Sequence, residues 1–307
     1  MMIPPVQLSK DTAGMPHEVF GLAIAADVPL GHPGDRTAET DVRIVAGDVP
    51  PESPAGWTRI KPCIARTPDR LWYRLPGLLR AQTDHQGNIC WQAEKDLPGE
   101  LVVELLMDAV LPDVLQRRGF LVRRGFAFGN DRRSVLVIGT THTMRSGLWP
   151  GLAEAGLTIF SDGLCVARQD AAGLWQLYPG VPRSLHWDIG KDGLPPNARR
   201  LRADVAVYRD ETPEHFASTC APLGAVIFTA DTADGETPHL VPIKGEQRLE
   251  VMDRGVCFLH PEDDRSARAQ RFRSWMQLAA GVPFHRLHRP REETRPGLTT
   301  LFRELLS

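Results

Sequence analysis

The hydrophobic pattern changes period near Gly99, and that change constrains the fold more than any other feature of the chain. Before it, apolar runs are short and broken. Val19 to Leu30 (VFGLAIAADVPL) and Asp41 to Val49 contain β-branched residues and are punctuated by Gly, Pro and Asp. Arg70 to Arg80 and Gly87 to Gln92 continue the pattern, with Asp84-His85-Gln86-Gly87 as a turn between them. Runs of this kind predict strands, here a small antiparallel meander of roughly 95 residues. From Gly99 to Gly119 (GELVVELLMDAVLPDVLQRRG) the apolar residues recur at helical spacing, and Pro112 predicts a kink or break.

After this helix, strands are predicted at Gly125 to Gly129, Val135 to Ile138 and Leu157 to Phe160, with a short helical piece at Pro150 to Ala155 between the last two. Strand, turn, helix, strand is a βαβ-like order and implies a sheet with helical cover. Ala203 to Tyr208 and Gly224 to Thr229 predict further strands. Asp264 to Ala280 and Gly297 to Leu306 predict helices, and basic His285 to Arg295 reads as a solvated connector, with a patch for an acidic peptide or phosphate as the alternative. The expected fold class is α/β, or α+β overall. A β-rich N-terminal domain over residues 1–98 precedes a second domain, residues 99–307, whose sheet carries helical cover.

Composition removes several functional classes. The 307 residues carry 36 Lys plus Arg against 38 Asp plus Glu, so no basic excess points to nucleic acid or an anionic membrane. Five cysteines lie far apart without a CxxC pair, which disfavours a zinc cluster or a disulfide framework. No run approaches the ~20 apolar residues needed to span a bilayer. The N-terminus, MMIPPVQLSKDTAG, does not read as a signal peptide, and a cytoplasmic location is expected.

The informative turn follows the Val135 to Ile138 strand: Gly139-Thr140-Thr141-His142-Thr143-Met144-Arg145-Ser146. A phosphate loop has Gly, four residues, then Gly-Lys-Ser or Gly-Lys-Thr, between a buried strand and a helix. Its glycines turn backbone N–H groups onto phosphate oxygens, its lysine reaches the outer phosphates and its hydroxyl ligates magnesium. Gly139 and Ser146 stand at the right ends. Met144 replaces the inner glycine and Arg145 the lysine.

The wider segment Leu121 to Arg168 resembles the catalytic domain of the HPr kinase/phosphorylase superfamily, in particular the serine kinases encoded beside lasso-peptide and other ribosomal-peptide enzymes. That family reads hydrophobic-His-Gly, strand, phosphate loop, a helix ending in Arg-Gly, then a strand ending in Asp-Asp. The corresponding residues are Arg124-Gly125, VLVIG (135–139), the altered loop, Glu154-Ala155-Gly156 and LTIFSDG (157–163). The flanks LQRRGFLVRRG and VPFHRLHRPRE are similar in type, as is the strand-rich front.

The resemblance implies a P-loop kinase-like sheet and a set of site positions. Arg124, His142 and Asp162 fall at catalytic places; Gly139, Thr143, Arg145 and Ser146 fall at nucleotide-binding ones. Arg124 stands for the family's histidine, and Gly163 for the second of its paired aspartates. In the family the three positions that carry over, Gly139, Ser146 and Asp162, serve the loop start, the magnesium ligand and part of the metal and base cluster. No dedicated protein metal site is assigned, and ATP with magnesium is implied only if kinase activity persists.

The substitutions weaken phosphate handling. A methionine held in a left-handed conformation costs about 1–2 kcal/mol, and arginine keeps the charge without the lysine geometry. Pro150-Gly151 would shift a helix start, and its partial positive charge, away from the loop. Two classes of function stay open: a kinase-inactive accessory or peptide-binding protein in ribosomal-peptide modification, and an active serine kinase or repurposed peptide-modifying enzyme. The expected partner is a precursor peptide or a partner biosynthetic enzyme, and relatives of this type imply a homo-oligomer. Other clusters read as structure. His186-Trp187-Asp188 is a turn with a packed tryptophan, Glu262, Asp263 and Asp264 cap a helix, and His285 and His288 are surface charge.

Overall fold

The computed structural model describes residues 15–28, 30, 39–139, 152, 155–187, 199–200, 207–210, 215–232, 237–251, 254, 265–290 and 296–306. The chain is mixed α/β and divides into two compact units, Met1–Gly119 with Cys257–Asp263, and Phe120–Val256 with Asp264–Ser307. The boundary after Gly119 lies beyond the 98/99 position read from composition. The helices after Gly99 belong to the first unit because their polar side chains grip its sheet. Asp113 pairs with Arg66 at 3.5 Å, and Arg118 donates to the carbonyls of Asp41 and Gln86.

The first unit is an eight-stranded sheet. Its strands are β1 (Met15–Val19), β2 (Leu22–Ala26), β3 (Val42–Ala46), β4 (Thr58–Lys61), β5 (Ile64–Arg66), β6 (Leu71–Leu75), β7 (Leu79–Thr83) and β8 (Ile89–Ala93). Their order is β1-β2-β3-β8-β7-β6-β5-β4. It is not the antiparallel meander expected throughout: β3 inserts parallel to both β2 and β8. The single run expected from Val19 to Leu30 is a hairpin arm instead. It turns at Phe20 (φ 58°) and Gly21 (φ 70°), the paired positive φ of a type I′ turn. Phe20 gives no turn signal in sequence; its fully buried ring holds it there. The Asp84 turn forms as expected, its carboxylate accepting from the backbone N–H of Gln86 and Asn88. Helices α1 (Gly99–Ala109) and α2 (Leu111–Arg117) follow, broken at Val110 with Pro112 in the first turn of α2.

The second unit is built on β9 (Leu121–Gly129), β10 (Ser134–Ile138), β11 (Thr158–Gln169), β12 (Trp175–Tyr178), β16 (Ala221–Thr232), β17 (His239–Pro242) and β18 (Phe284–Pro290). A separate three-stranded sheet joins β13 (Ser184–Trp187), β14 (Arg199–Arg200) and β15 (Val207–Asp210). In the larger sheet β9 lies between β10 and β11 and is antiparallel to both. The long β16 starts against β12, then runs parallel to β10 and β18. The expected βαβ-like segment is therefore a crossover over an intervening strand.

Two apolar layers cover this sheet. One packs Leu136, Ile138, Val226, Phe228 and Phe284 beneath Trp275 and Leu278 of helix α3 (Arg265–Gly281). The other packs Phe126, Phe128, Val135, Val137 and Ile227 beneath Leu298 and Phe302 of helix α4 (Pro296–Leu306). Residues 285–290, read from sequence as part of a connector, are strand β18 between β16 and β17. Its buried Phe284 and Leu287 are three residues apart, one in each core layer, so no strand period shows through the basic residues around them. His288 is not plain surface charge: its ring stacks on His239 at 5.0 Å. Cys63, Cys90 and Cys220 are free thiols. Among the described residues, no helix is long and apolar enough to cross a membrane.

Candidate functional site

The middle strand β9 arranges the site. Its register sets Gly125 opposite Ile138 on one side and Gly163 on the other, and Phe126 opposite Val137 and Asp162. Directly opposed residues share a sheet face, and diagonal neighbours two positions away stay within side-chain reach. Asp162 and Arg124 therefore share the face of Phe126, with Arg124 two residues along β9 and just past the last pair of β10. Gly139 leaves that end at φ +82°, where its carbonyl accepts the Thr229 hydroxyl proton of β16 at 2.7 Å. Arg124, Gly139 and Asp162, distant in sequence, are gathered at the C-terminal end of β10. His142, Thr143, Arg145 and Ser146 lie outside the described residues, as do Met144 and Pro150-Gly151.

Packing accounts for the glycine of the Arg124-Gly125 pair. A Cβ on Gly125 would stand 2.4 Å from the Val137 carbonyl oxygen. No side chain fits between β9 and β10 at that point, so this glycine is needed whatever chemistry the site performs.

The decisive geometry is at Asp162-Gly163. Asp162 is 1% exposed. Gly163 has φ +107°, a conformation that L side chains rarely adopt. The register of β11 slips between Ile159 and Ser161, and the Ser161 hydroxyl then donates forward to the Leu164 carbonyl, bridging the turn of backbone. From outside the strand, Arg183 donates to the carbonyl of Asp162. Its two terminal nitrogens lie 3.7 and 3.8 Å from where a Gly163 Cβ would be. Arg183 is 2% exposed.

Sequence reasoning missed this residue. In PGVPRSLHWD it is one arginine of a Pro-rich turn, and nothing local marks it as buried. The expected turn at His186-Trp187 is instead part of β13, paired with Tyr208 and Val207, and Asp188 lies outside the described residues.

A magnesium site is built from oxygen ligands, usually with one or two carboxylates. Of the two positions that the sequence resemblance pairs, only Asp162 carries a carboxylate. The neighbouring position has no side chain, a backbone suited to glycine, and a guanidinium where a cation would be repelled. Among the described residues no three His, Cys, Asp or Glu groups stand close enough to hold a metal ion. The described part of the site does not fit a paired-carboxylate magnesium centre.

No protein-family model matches the sequence, and no curated protein matches it. Among solved structures, the chain is similar to the Hpr(Ser) kinase/phosphatase from Coxiella burnetii, with 10% identity over 60% of this chain and 95% of that one and a TM-score of 0.33. The likeness is distant, and at that score it carries no argument about activity.

Proposed function

We propose that the chain is a kinase-inactive accessory or peptide-binding protein in ribosomal-peptide modification, descended from a phosphoryl-transfer scaffold. The observation that supports this most is the backbone at Gly163. A glycine at φ +107° with a buried guanidinium beside it replaces the second carboxylate of a metal-binding pair. Loss of the cation's ligands removes the charge neutralisation on which phosphoryl transfer depends. The sequence of the loop agrees with this. Met144 and Arg145 stand where a glycine and a lysine would cradle and reach the phosphates.

In this reading the surviving groups at the end of β10 are structural or ligand-holding. Asp162 is enclosed and anchored through its own carbonyl, and Arg124 keeps a positive charge on the same face. Precursor peptide, or an enzyme that acts on it, is the expected partner. The test is thermal stability of the full chain with and without magnesium ATP. A specific ligand at 100 times its Kd adds about 2.7 kcal/mol, several degrees for a chain of this size. The proposal expects no shift. A saturable shift with transfer of phosphate to a serine peptide would establish the active-kinase reading instead.

A further inference from the structure

Two histidines far apart in sequence face each other at the edge of the larger sheet in the second unit. Among the described residues β17 is an edge strand that pairs with β18 alone. The antiparallel register sets His239 directly opposite His288, and directly opposed side chains leave the same face of a sheet. Their ring centroids are 5.0 Å apart and the ring planes are inclined by 7°. His239 is exposed and His288 half-buried.

A second observation bears on what the pair holds. Nδ1 of His239 lies 3.1 Å from the carbonyl oxygen of Thr237. A carbonyl oxygen only accepts, so Nδ1 carries the proton, and in the neutral ring Nε2 keeps its lone pair. Metal-binding histidines are held this way, their other ring nitrogen donating to a backbone carbonyl that fixes tautomer and orientation. No hydrogen bond to a described residue holds the His288 ring, and the terminal torsion of histidine is soft. Parallel rings do not aim at one point. Ligation, with each nitrogen about 2.0–2.1 Å from the ion, therefore requires His288 to turn toward His239 while the paired backbones stay in place.

We propose that His239 and His288 chelate a divalent transition-metal ion of the copper, nickel and zinc group. The donor set selects this class. Imidazole suits these ions, whereas magnesium and calcium take oxygen ligands, and among the described residues no carboxylate pairs with either ring. Arg286, two residues before His288 and opposite Val241, shares the face by strand alternation. Its charge opposes a cation held by electrostatics alone more than one held by ligand bonds. With two protein ligands the ion keeps open positions for water or for donor atoms of a bound molecule, and it staples the edge strand β17 to β18. The pair shares no residue with the Arg124, Gly139 and Asp162 cluster, so it does not depend on whether the loop binds phosphate.

The test titrates the untagged full chain with copper(II), zinc(II) and magnesium chlorides by calorimetry, in buffer with glycine to suppress weak sites. One equivalent of copper and of zinc should bind, copper more tightly, and each should raise Tm; magnesium should do neither at this site. His239→Gln and His288→Gln should each weaken binding about a hundredfold, because either change reduces a chelate to a single ligand, and the double variant should be little worse than either. Electron paramagnetic resonance of the copper-loaded wild-type chain should show two coordinated imidazole nitrogens, a readout that stands even if a variant folds poorly. Four results overturn the proposal: no saturable binding of copper or zinc, a copper spectrum with one imidazole nitrogen or none, binding by the double variant equal to wild type, or loss of affinity from one of the two substitutions and not the other.

Discussion

Replacing Gly163 by alanine isolates the backbone on which the proposed loss of a metal-binding pair rests. The residue holds φ +107°, and its Cβ would meet only the Arg183 nitrogens at 3.7 and 3.8 Å, ordinary contact distances. Steric overlap therefore contributes little, and the cost comes from the dihedral. A side chain forced into such a region costs about 1–3 kcal/mol. In a unit of this size that lowers Tm by roughly 2–12 °C. Gly156 is the comparison: it has φ +70° and nothing within 4 Å, so Gly156→Ala should cost about 1–2 kcal/mol from strain alone. Gly163→Asp carries the same strain and adds a carboxylate within reach of Arg183. It should fall within about 1 kcal/mol of the alanine variant, the net value of one polar interaction, and should gain no magnesium-dependent ATP binding. Chemical denaturation of the variants beside wild type, followed by calorimetric titration with magnesium ATP, measures both outcomes. The reasoning fails if Gly163→Ala leaves stability unchanged. It fails equally if Gly163→Asp alone confers magnesium-dependent ATP binding.

Other substitutions test the surrounding structure. Gly125→Ala places a Cβ 2.4 Å from a backbone oxygen and should destabilise by about 1–3 kcal/mol or more, read by urea denaturation. Arg183→Met removes a charged hydrogen bond to the Asp162 carbonyl and should cost about 1.5–3 kcal/mol in the same assay. Burial, and then the charge of Arg248, hold the His285 imidazole below its ordinary value of 6.5. The folded protein thus binds this proton more weakly than the unfolded chain. Its contribution to stability is whole above pH 6.5 and is lost as pH falls through the depressed folded value; His285→Gln should flatten that limb of a stability–pH curve. Met144→Gly with Arg145→Lys should restore measurable nucleotide affinity if the loop path is otherwise intact. No gain in a nucleotide-dependent thermal shift would place the block at Gly163 or at Pro150-Gly151.

The sequence was most legible where one residue governs local geometry. Pro112 broke the helix where expected, and the Asp84 turn closed through its own carboxylate. The core strands 125–129 and 135–138 were found because both faces of this sheet are buried, which leaves continuous apolar runs. It was least legible where long-range pairing decides. Nothing near Val42 tells that β3 will insert parallel between β2 and β8. β18 has no alternation to read, because its buried Phe284 and Leu287 serve opposite core layers, and a buried Phe20 took a turn position that usually belongs to Asn or Gly. The first domain extends past 98 because Asp113 and Arg118 reach back to residues dozens of positions earlier. At the site, the family resemblance marked Gly163 as the place of a second aspartate. Its dihedral angle and the Arg183 beside it were not visible, since both depend on a bulge in β11 and on a chain segment twenty residues away.

The most direct test titrates the full chain with magnesium ATP and follows transfer of the terminal phosphoryl group to a serine-containing peptide. A heatless titration at millimolar nucleotide, with no phosphopeptide formed, is the predicted result. Saturable binding accompanied by stoichiometric phosphoserine would contradict the account at its centre.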